Sequence, residues 1–227
     1  DGRRPDLLET ATLAPLGAAS SETLERAVRR AEVVAGAVSH ARDLVNEPAG
    51  EMTPRRMAEF AAQLAREHGL TVEILGPAEC RALGMGMYLA VAQGSDEEPR
   101  FIHLSYKPKD AKKRVALIGK GVTFDSGGLD LKTAEGMLRM KDDMSGAAAV
   151  LGVMKALPQL TPAVEVHGLI AATENMPSGT ATRPGAILRA MNGTTIETGH
   201  TAAEGGLTLA DGICSAHRKG GAAERRA

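Results

Sequence analysis

The segment from residue 115 to residue 132 constrains the fold of this chain more than any other stretch. An apolar run that contains β-branched residues, Val115 to Ile118, leads into a glycine-rich segment, GKGVTFDSGG, at residues 119–128. The run predicts a strand, and we expect the glycines to end it where the charged side chains of Lys120 and Asp125 begin. Open α/β sheets place their ligand sites at the carboxyl ends of strands. The segment therefore predicts a layered α/β protein with a functional site at this strand end.

Apolar periodicity and turn residues predict the other elements. Helices are expected between Ser20 and Pro48, between Thr53 and Gly69, and at residues 77–83, 145–157 and 207–216. Strands are expected at residues 71–75, 88–93, 100–106 and 163–171, one strand begins at residue 114, and residues 192–193 predict a hairpin turn. Residues 1–19 are punctuated by Pro and Gly and are expected to be irregular. This alternation predicts an α/β fold with a mixed central sheet and helices on both faces.

The composition excludes several classes of protein. The 227 residues carry a formal net charge of -1, with a pI of about 6.7, so neither nucleic acid nor an anionic membrane is expected as the main partner. The two cysteines, Cys80 and Cys214, show no C-x-x-C spacing, which argues against a zinc ribbon and a disulfide framework. No apolar run approaches the roughly 20 residues of a membrane span. We therefore expect a reduced, cytoplasmic setting.

The charged residues around the glycine-rich segment have two interpretations when they are considered alone. Residues 140–144 read MKDDM and precede a predicted helix. Lys120 and Asp125 can form an ordinary turn salt bridge, while Asp142 and Asp143 favour the N-terminal dipole of that helix. Alternatively, the same groups form a site. The chain has no H-E-x-x-H motif, and residues 119–121 lack the flanking residues of a phosphate-binding loop, so those two arrangements are excluded.

The order of residues over three blocks resembles the leucyl aminopeptidase family of dinuclear metallopeptidases. The first family pattern is G-K-G-x-x-F-D-S-G-G, a Lys seven residues after the Asp, and then M-K-x-D-M-x-G-A-A, which this chain matches through Ala148. The second is E-N-M-P-S-G followed by R-P-G, which residues 174–179 and 183–185 match. The third, at residues 200–207, matches only in part. Three blocks in the same order identify the family, whereas one alone would be a weak signal.

The resemblance implies a division of the chain into two parts. Residues 1–49 correspond to an irregular segment and the connector helix, a remnant of the family's N-terminal domain. Residues 50–227 correspond to an incomplete metallopeptidase catalytic domain, because the family's domain continues well past the last residue here. We therefore expect a truncated, fragmentary or frame-shifted chain.

The resemblance also implies the residues of the site. Lys120, Asp125, Asp143 and Glu204 would surround the tighter of two divalent metal ions, either Zn or Mn, with Asp125 and Glu204 bridging the pair. Since lysine ligates only as a neutral amine, we expect burial and the ions to depress its pKa. Lys132 would stabilise the oxyanion that forms during hydrolysis. Met140 would line the pocket for the first substrate side chain, although as a bare sequence feature it fits a core position better.

The third block departs from the family pattern N-T-D-A-E-G-R-L. Ala202 stands where an Asp ligates the looser metal ion, and Gly206 stands where an Arg holds a bicarbonate that assists proton transfer. We therefore expect the tighter site to survive and the second to be weakened. His200 can compensate as a ligand, or it is simply a polar residue with a satisfied hydrogen bond.

The sequence thus predicts a metal-dependent aminopeptidase that removes N-terminal, Leu-like residues from peptide substrates, with impaired activity. The alternative is a catalytically silent binding or assembly subunit of an aminopeptidase-type oligomer, because the family forms hexamers. Neither a nucleic acid nor a membrane is expected as a partner.

Overall fold

The computed structural model of this chain describes residues 10–14, 17 and 20–218. The helices are α1 (Ser21–Asn46), α2 (Pro54–His68), α3 (Pro77–Ala82), α4 (Gly86–Ala92), α5 (Ala134–Met137), α6 (Ser145–Leu160) and α7 (Glu204–Arg218), with a 3-10 turn at Met140–Asp142. The strands are β1 (Thr71–Leu75), β2 (Arg100–Tyr106), β3 (Lys113–Asp125), β4 (Val164–Asn175), β5 (Ala186–Arg189) and β6 (Thr195–Thr198). Most of the segment predicted to be irregular, residues 1–19, lies outside the described residues.

A four-stranded sheet in the order β1-β2-β4-β3 forms the centre of the fold. Strands β1, β2 and β4 pair antiparallel, whereas β3 and β4 pair parallel. Parallel neighbours end at the same edge of a sheet, so the last residues of β3 and β4, Asp125 and Asn175, lie side by side. The predicted strand end is therefore one of two that meet there.

Helices cover both faces of this sheet, as predicted. One apolar core packs α2, α6 and part of α1 against β2 and β4, and it includes Met57, Ile102 and Leu151. The other core packs α3, α4 and α7 against the opposite face, where Tyr88 and Phe101 are buried. A mixed α/β sheet between two helical layers, preceded by a long helix, is thus confirmed. None of the described helices is long and apolar enough to cross a membrane.

The predicted helix ends are confirmed in α1 and α2. The hydroxyls of Ser20 and Thr53 accept hydrogen bonds from the backbone amides of Thr23 and Arg56, at 3.3 and 3.2 Å. These bonds satisfy amides that have no partner inside the helix. Gly69 follows α2 with a φ of 68°, a left-handed conformation that glycine adopts without strain.

The prediction of a strand at residues 88–93 is wrong, because residues 88–92 lie in helix α4 (Gly86–Ala92) and Gln93 caps it. A short apolar run looks the same in a buried strand and in a buried helix. Here the helix is wedged between the sheet and the β5–β6 hairpin, so almost all of its side chains are buried and no polar face reveals the helical period. Tyr88 anchors it by donating a hydrogen bond of 2.6 Å from its hydroxyl to the carbonyl oxygen of Ala172.

The glycines of the central segment do not end the strand, which is the second correction. Strand β3 continues through Gly119 and Gly121 to Asp125, paired with β4 along its length. A Cβ atom on Gly119 would lie 2.7 Å from the carbonyl oxygen of Gly146. The glycine is therefore required by the close approach of helix α6 to the strand, and it does not mark a turn.

The remaining predicted elements occur at the expected places with shifted ends. Strand β4 runs on to Asn175, and α6 runs on to Leu160. Helix α7 begins three residues earlier than predicted, at Glu204. The β5–β6 hairpin encloses the predicted turn at residues 192–193. The longer β4 ends at Asn175 and the earlier start of α7 is Glu204, so both changes bring a polar or charged residue to the same edge of the sheet.

The buried thiol of Cys80 provides a test of this fold. Burial raises the pKa of Cys80 to about 11, and its side chain is fully buried. Because only the thiolate reacts, and about a thousandth of such thiols is ionised at pH 8, we expect iodoacetamide to label the partly exposed Cys214 and to leave Cys80 unmodified. Labelling of Cys80 should increase as the pH approaches 11. Mass spectrometry of peptides from Cys214→Ser protein measures the buried thiol alone, and rapid labelling at pH 8 would contradict its burial.

Candidate metal centre

An irregularity in strand β3 brings two of the predicted site residues to one face of the sheet. In a regular strand, residues five positions apart point to opposite faces. The β3–β4 register shifts between Val122 and Phe124, which inserts one extra residue, Thr123. Lys120 consequently lies opposite Ala171, and Asp125 lies opposite Asn175. Ala171 and Asn175 are four apart on β4 and share a face, so Lys120 and Asp125 share that face too.

Three carboxylates converge beside this strand end. Asp125 ends β3, Asp143 follows the 3-10 turn, and Glu204 begins α7. Each offers one oxygen, and the three oxygens lie within 4.8 Å of one another. Asp125 and Glu204 are each only 1% exposed. Buried carboxylates this close repel one another strongly unless cations offset their charge.

Two lysine ammonium groups face these carboxylates. The Nζ atom of Lys120 lies 2.7 Å from both oxygens of Asp143 and 2.6 Å from Oε1 of Glu204. The Nζ atom of Lys132 lies 2.7 Å from Oδ2 of Asp125. Three carboxylates against two ammonium groups leave one excess negative charge. The four residues predicted to surround one ion, together with Lys132, therefore form a single cluster.

The carboxylate of Glu204 makes fewer hydrogen bonds than its burial requires. Its Oε1 touches the Lys120 ammonium, but neither oxygen has a well-aligned hydrogen bond to any of the described residues. Native proteins rarely leave a buried charged group in this state. A divalent cation would satisfy it, because carboxylate oxygens are suitable ligands for such ions. The arrangement of acidic side chains therefore fits a metal ion.

The environment shifts the pKa of two groups in the cluster. Burial raises the pKa of Glu204; the adjacent ammonium group of Lys120 opposes this rise, and the negative charge of Asp125 adds to it. Burial lowers the pKa of Lys120, but its bonds to Asp143 and Glu204 outweigh burial, so the pKa is raised overall. The expectation that burial leaves Lys120 with a depressed pKa is therefore not met by the protein residues alone. A neutral amine at this position requires the charge of a bound ion.

Asp125 is held by groups that the sequence did not single out. Its Oδ1 accepts hydrogen bonds of 2.8 Å from the side-chain amide of Asn175 and from the backbone amide of Gly127. The same Asn175 amide donates to the carbonyl oxygen of Thr201, at 2.9 Å. The signal for Asn175 was available, since it ends a buried strand and belongs to the second sequence block.

Thr201 joins the loop after β3 to the segment before α7. Its backbone amide donates to Oδ2 of Asp130 at 2.6 Å, and its hydroxyl donates to the carbonyl oxygen of Gly127 at 2.7 Å. Thr201 is buried and lies three residues before Glu204. Neither Asp130 nor Thr201 could be singled out from the sequence, because the amide of Thr201 and the carboxylate of Asp130 that meet here are 71 residues apart along the chain.

Other residues considered from the sequence lie outside the cluster. Met140 begins the 3-10 turn that leads to Asp143 and is partly exposed. The His200 side chain is 83% exposed, with its Nδ1 atom 3.9 Å from Oδ2 of Asp130. It is not among the residues whose ligand atoms converge. Ala202 is exposed, and a Cβ atom on Gly206 would meet no atom within 4 Å.

Comparisons with known proteins agree with the geometry. A family model described as "Cytosol aminopeptidase family, catalytic domain" matches residues 39–224. The chain is 54% identical over 192 residues to a "Probable cytosol aminopeptidase" of Persephonella marina, covering 85% of this chain and 39% of that protein. It is also 54% identical over 215 residues to the protein of that name from Synechococcus sp. (strain JA-3-3Ab), covering 93% of this chain and 42% of the relative. The chain thus spans about two fifths of the length of these curated relatives.

A solved structure is similar over the same region. "Bottromycin maturation enzyme BotP in complex with Mn" superposes with a TM-score of 0.83 at 44% sequence identity, covering 88% of this chain and 43% of that chain. The sequence relatives and the structural neighbour therefore agree on one fold for most of the residues described here.

Proposed function

This chain belongs to the cytosol aminopeptidase family, and we propose that it is the metal-binding part of an aminopeptidase that hydrolyses N-terminal residues from peptides. The observation that carries the proposal is the buried cluster of Asp125, Asp143 and Glu204, in which the Glu204 carboxylate has no well-aligned hydrogen bond to the described residues. Three carboxylates this close together, two of them buried, would destabilise the folded protein if no metal ion were bound among them. By the same family resemblance, we propose a cytoplasmic location.

Divalent metal ions are the cofactors that this family uses, and the cluster supports them here. Asp125, Asp143 and Glu204 would supply oxygen ligands, and Lys120 would supply a nitrogen ligand as the neutral amine. When bound, such ions polarise a carbonyl group and lower the pKa of a bound water. Between Zn and Mn, we propose Mn, on the strength of the Mn complex of the similar bottromycin maturation enzyme.

The residues of the site can orient a peptide substrate. Substrates with a free α-amino group would be favoured at a cluster that holds a divalent ion, because that group, like Lys120, can ligate an ion as the neutral amine, whereas an internal peptide bond offers no amine. Lys132 would release Asp125, which it contacts at 2.7 Å, and direct its ammonium group to the oxygen that becomes negative during hydrolysis. Met140 would contact the first side chain of a Leu-like substrate.

We further propose that the activity is impaired. Ala202 cannot offer the oxygen ligand that the family has at this position, and Gly206 cannot offer a guanidinium group. Loss of groups that only support metal ligands already lowers affinity or activity 10- to 100-fold. Loss of a ligand should lower the affinity for the second ion at least as much.

A different role is favoured by the same two substitutions. A chain that lacks both groups can persist as a silent subunit of an aminopeptidase-type hexamer, made of copies of itself or of an intact homologue. Large exposed apolar side chains, Leu138 at 81% and Ile187 at 75%, are available for such contacts. Light scattering after size-exclusion chromatography, with and without an intact homologue, measures the oligomeric state, and a peptidase assay on the same fractions measures activity. A monomer that hydrolyses peptides and does not bind the homologue excludes the role of a silent subunit.

Metal content tests the proposed function directly. We expect protein prepared with Mn to retain about one ion per chain after gel filtration, because one site keeps its ligands and the other has lost one. Elemental analysis of the protein peak measures the ratio, and a parallel preparation with Zn compares the two metals. A chain that retains neither metal would refute the proposal, whereas two tightly held ions would refute the claim of a weakened second site.

A further inference from the structure

We infer that Asn175 is a positioning residue of the metal centre, an inference that rests on the proposed function. Asn175 ends strand β4, is 5% exposed and lies directly opposite Asp125 in the β3–β4 register. It would not bind the ion itself. It would hold two other parts of the centre, Asp125 and the segment before Glu204, in a fixed relation to each other.

The side-chain amide of Asn175 uses both of its hydrogens for this purpose. Its Nδ2 atom donates one hydrogen bond to Oδ1 of Asp125, at 2.8 Å, and one to the carbonyl oxygen of Thr201, at 2.9 Å. An amide nitrogen carries two hydrogens and no more, so its donor capacity is fully used. The first acceptor is a proposed metal ligand, and the second is a backbone group close to another.

The first bond determines which oxygen of Asp125 can face a cation. Oδ1 receives two hydrogen bonds from neutral donors, Asn175 and Gly127, whereas Oδ2 faces the charged ammonium of Lys132. Neutral donors on one oxygen fix the plane of the carboxylate and leave the other oxygen for the positive charge. Partners of this kind are what hold metal-ligating carboxylates in their productive orientation.

The second bond relates Asp125 to Glu204. Thr201 is buried, is held at three points by Asn175, Gly127 and Asp130, and precedes Glu204 by three residues. The position at which α7 begins therefore depends on the same amide that orients Asp125. Gly128 leaves the space for that amide, because a Cβ atom there would lie 2.8 Å from Oδ1 of Asn175.

The test compares the Mn affinity of three variants with that of the wild type by isothermal titration calorimetry, which needs no enzymatic activity. Asn175→Ala should bind Mn about 10- to 100-fold more weakly, and Asn175→Ser should lose less, because a hydroxyl retains one donor. Tyr88→Phe is the matched control. It removes a buried hydrogen bond of 2.6 Å to Ala172, outside the acidic cluster, and should bind Mn like the wild type.

Each outcome decides the role of Asn175. Wild-type affinity in Asn175→Ala would overturn the inference, and so would an equal loss in Tyr88→Phe, since that would mean any buried hydrogen bond has the same effect. If Asn175→Ala does not fold, Asn175→Ser decides: weakened binding supports the role, and unchanged binding overturns it. A wild-type chain that binds neither Mn nor Zn refutes the proposed function, and the wild-type titration therefore distinguishes that failure from a failure of the role of Asn175.

Discussion

The double substitution Ala202→Asp and Gly206→Arg is expected to raise the hydrolysis of a leucine amide by more than about 10²–10³-fold, because one charge-stabilising donor typically contributes that range and the restored ligand adds to it. The first change restores the oxygen ligand of the second ion, and the second restores the guanidinium group. Both positions have room, because Ala202 is exposed and a Cβ atom on Gly206 meets nothing within 4 Å. Release of a chromophore from leucine p-nitroanilide with added Mn measures the rate.

Two controls make this result specific. Ala203→Asp adds the same carboxylate one position along, at another exposed site, and should leave the rate unchanged. Gly206→Arg alone should fold well, since replacing a helical glycine stabilises a helix by up to about 1 kcal/mol, and it should recover only part of the rate. A wild-type rate equal to that of the double variant would show that Ala202 and Gly206 do not impair the enzyme.

The substitution Glu204→Gln is expected to lower the affinity for Mn at least 100-fold, beyond the range found for groups that only support ligands. It keeps the size of the side chain and removes the charge of Glu204, which is 1% exposed and lacks aligned hydrogen bonds to the described residues. Lys120 would then be balanced by Asp143 alone, at 2.7 Å. Titration calorimetry measures the loss.

Glu165→Gln is the matched control for this substitution. Glu165 lies near the start of β4, at the opposite edge of the sheet from the carboxyl ends of β3 and β4, and accepts hydrogen bonds of 2.9 Å from Arg114 and His167. It should leave Mn binding unchanged even if it alters stability. If Glu204→Gln binds Mn as tightly as the wild type, Glu204 is not a ligand of the metal ion, and the cluster is not the metal site proposed here.

Periodicity and capping signals predicted most of the fold, because they are local. Ser20, Thr53 and Gly69 each act within one helical turn, and the structure has helix ends where these residues stand. Helix α4 was missed for the opposite reason. Its side chains are buried almost all around, so only its packing against other elements distinguishes it from a strand. Gly119 was misread because its role depends on Gly146, a residue of a different element.

The candidate site was predicted by family resemblance and not by spacing. Asp125, Asp143 and Glu204 are separated by 18 and 61 residues, and no periodicity indicates that their oxygens lie within 4.8 Å of one another. Asn175 and Thr201 were missed because their hydrogen bonds join segments that are far apart along the chain: the Asn175 side-chain amide donates to Asp125 and to the carbonyl oxygen of Thr201. Their roles depend on tertiary contacts, which only the folded structure shows.

The extra residue in β3 determines which changes this stretch can accept over evolution. Thr123 is buried, and its hydroxyl donates a hydrogen bond to the backbone carbonyl of Thr173, so other small side chains would serve as well. Deletion of this one position would instead rotate Asp125 to the far side of the sheet, away from Lys120. In descendants of this chain, Thr123 can therefore be replaced by another small residue, whereas the number of residues between Lys120 and Asp125 cannot change.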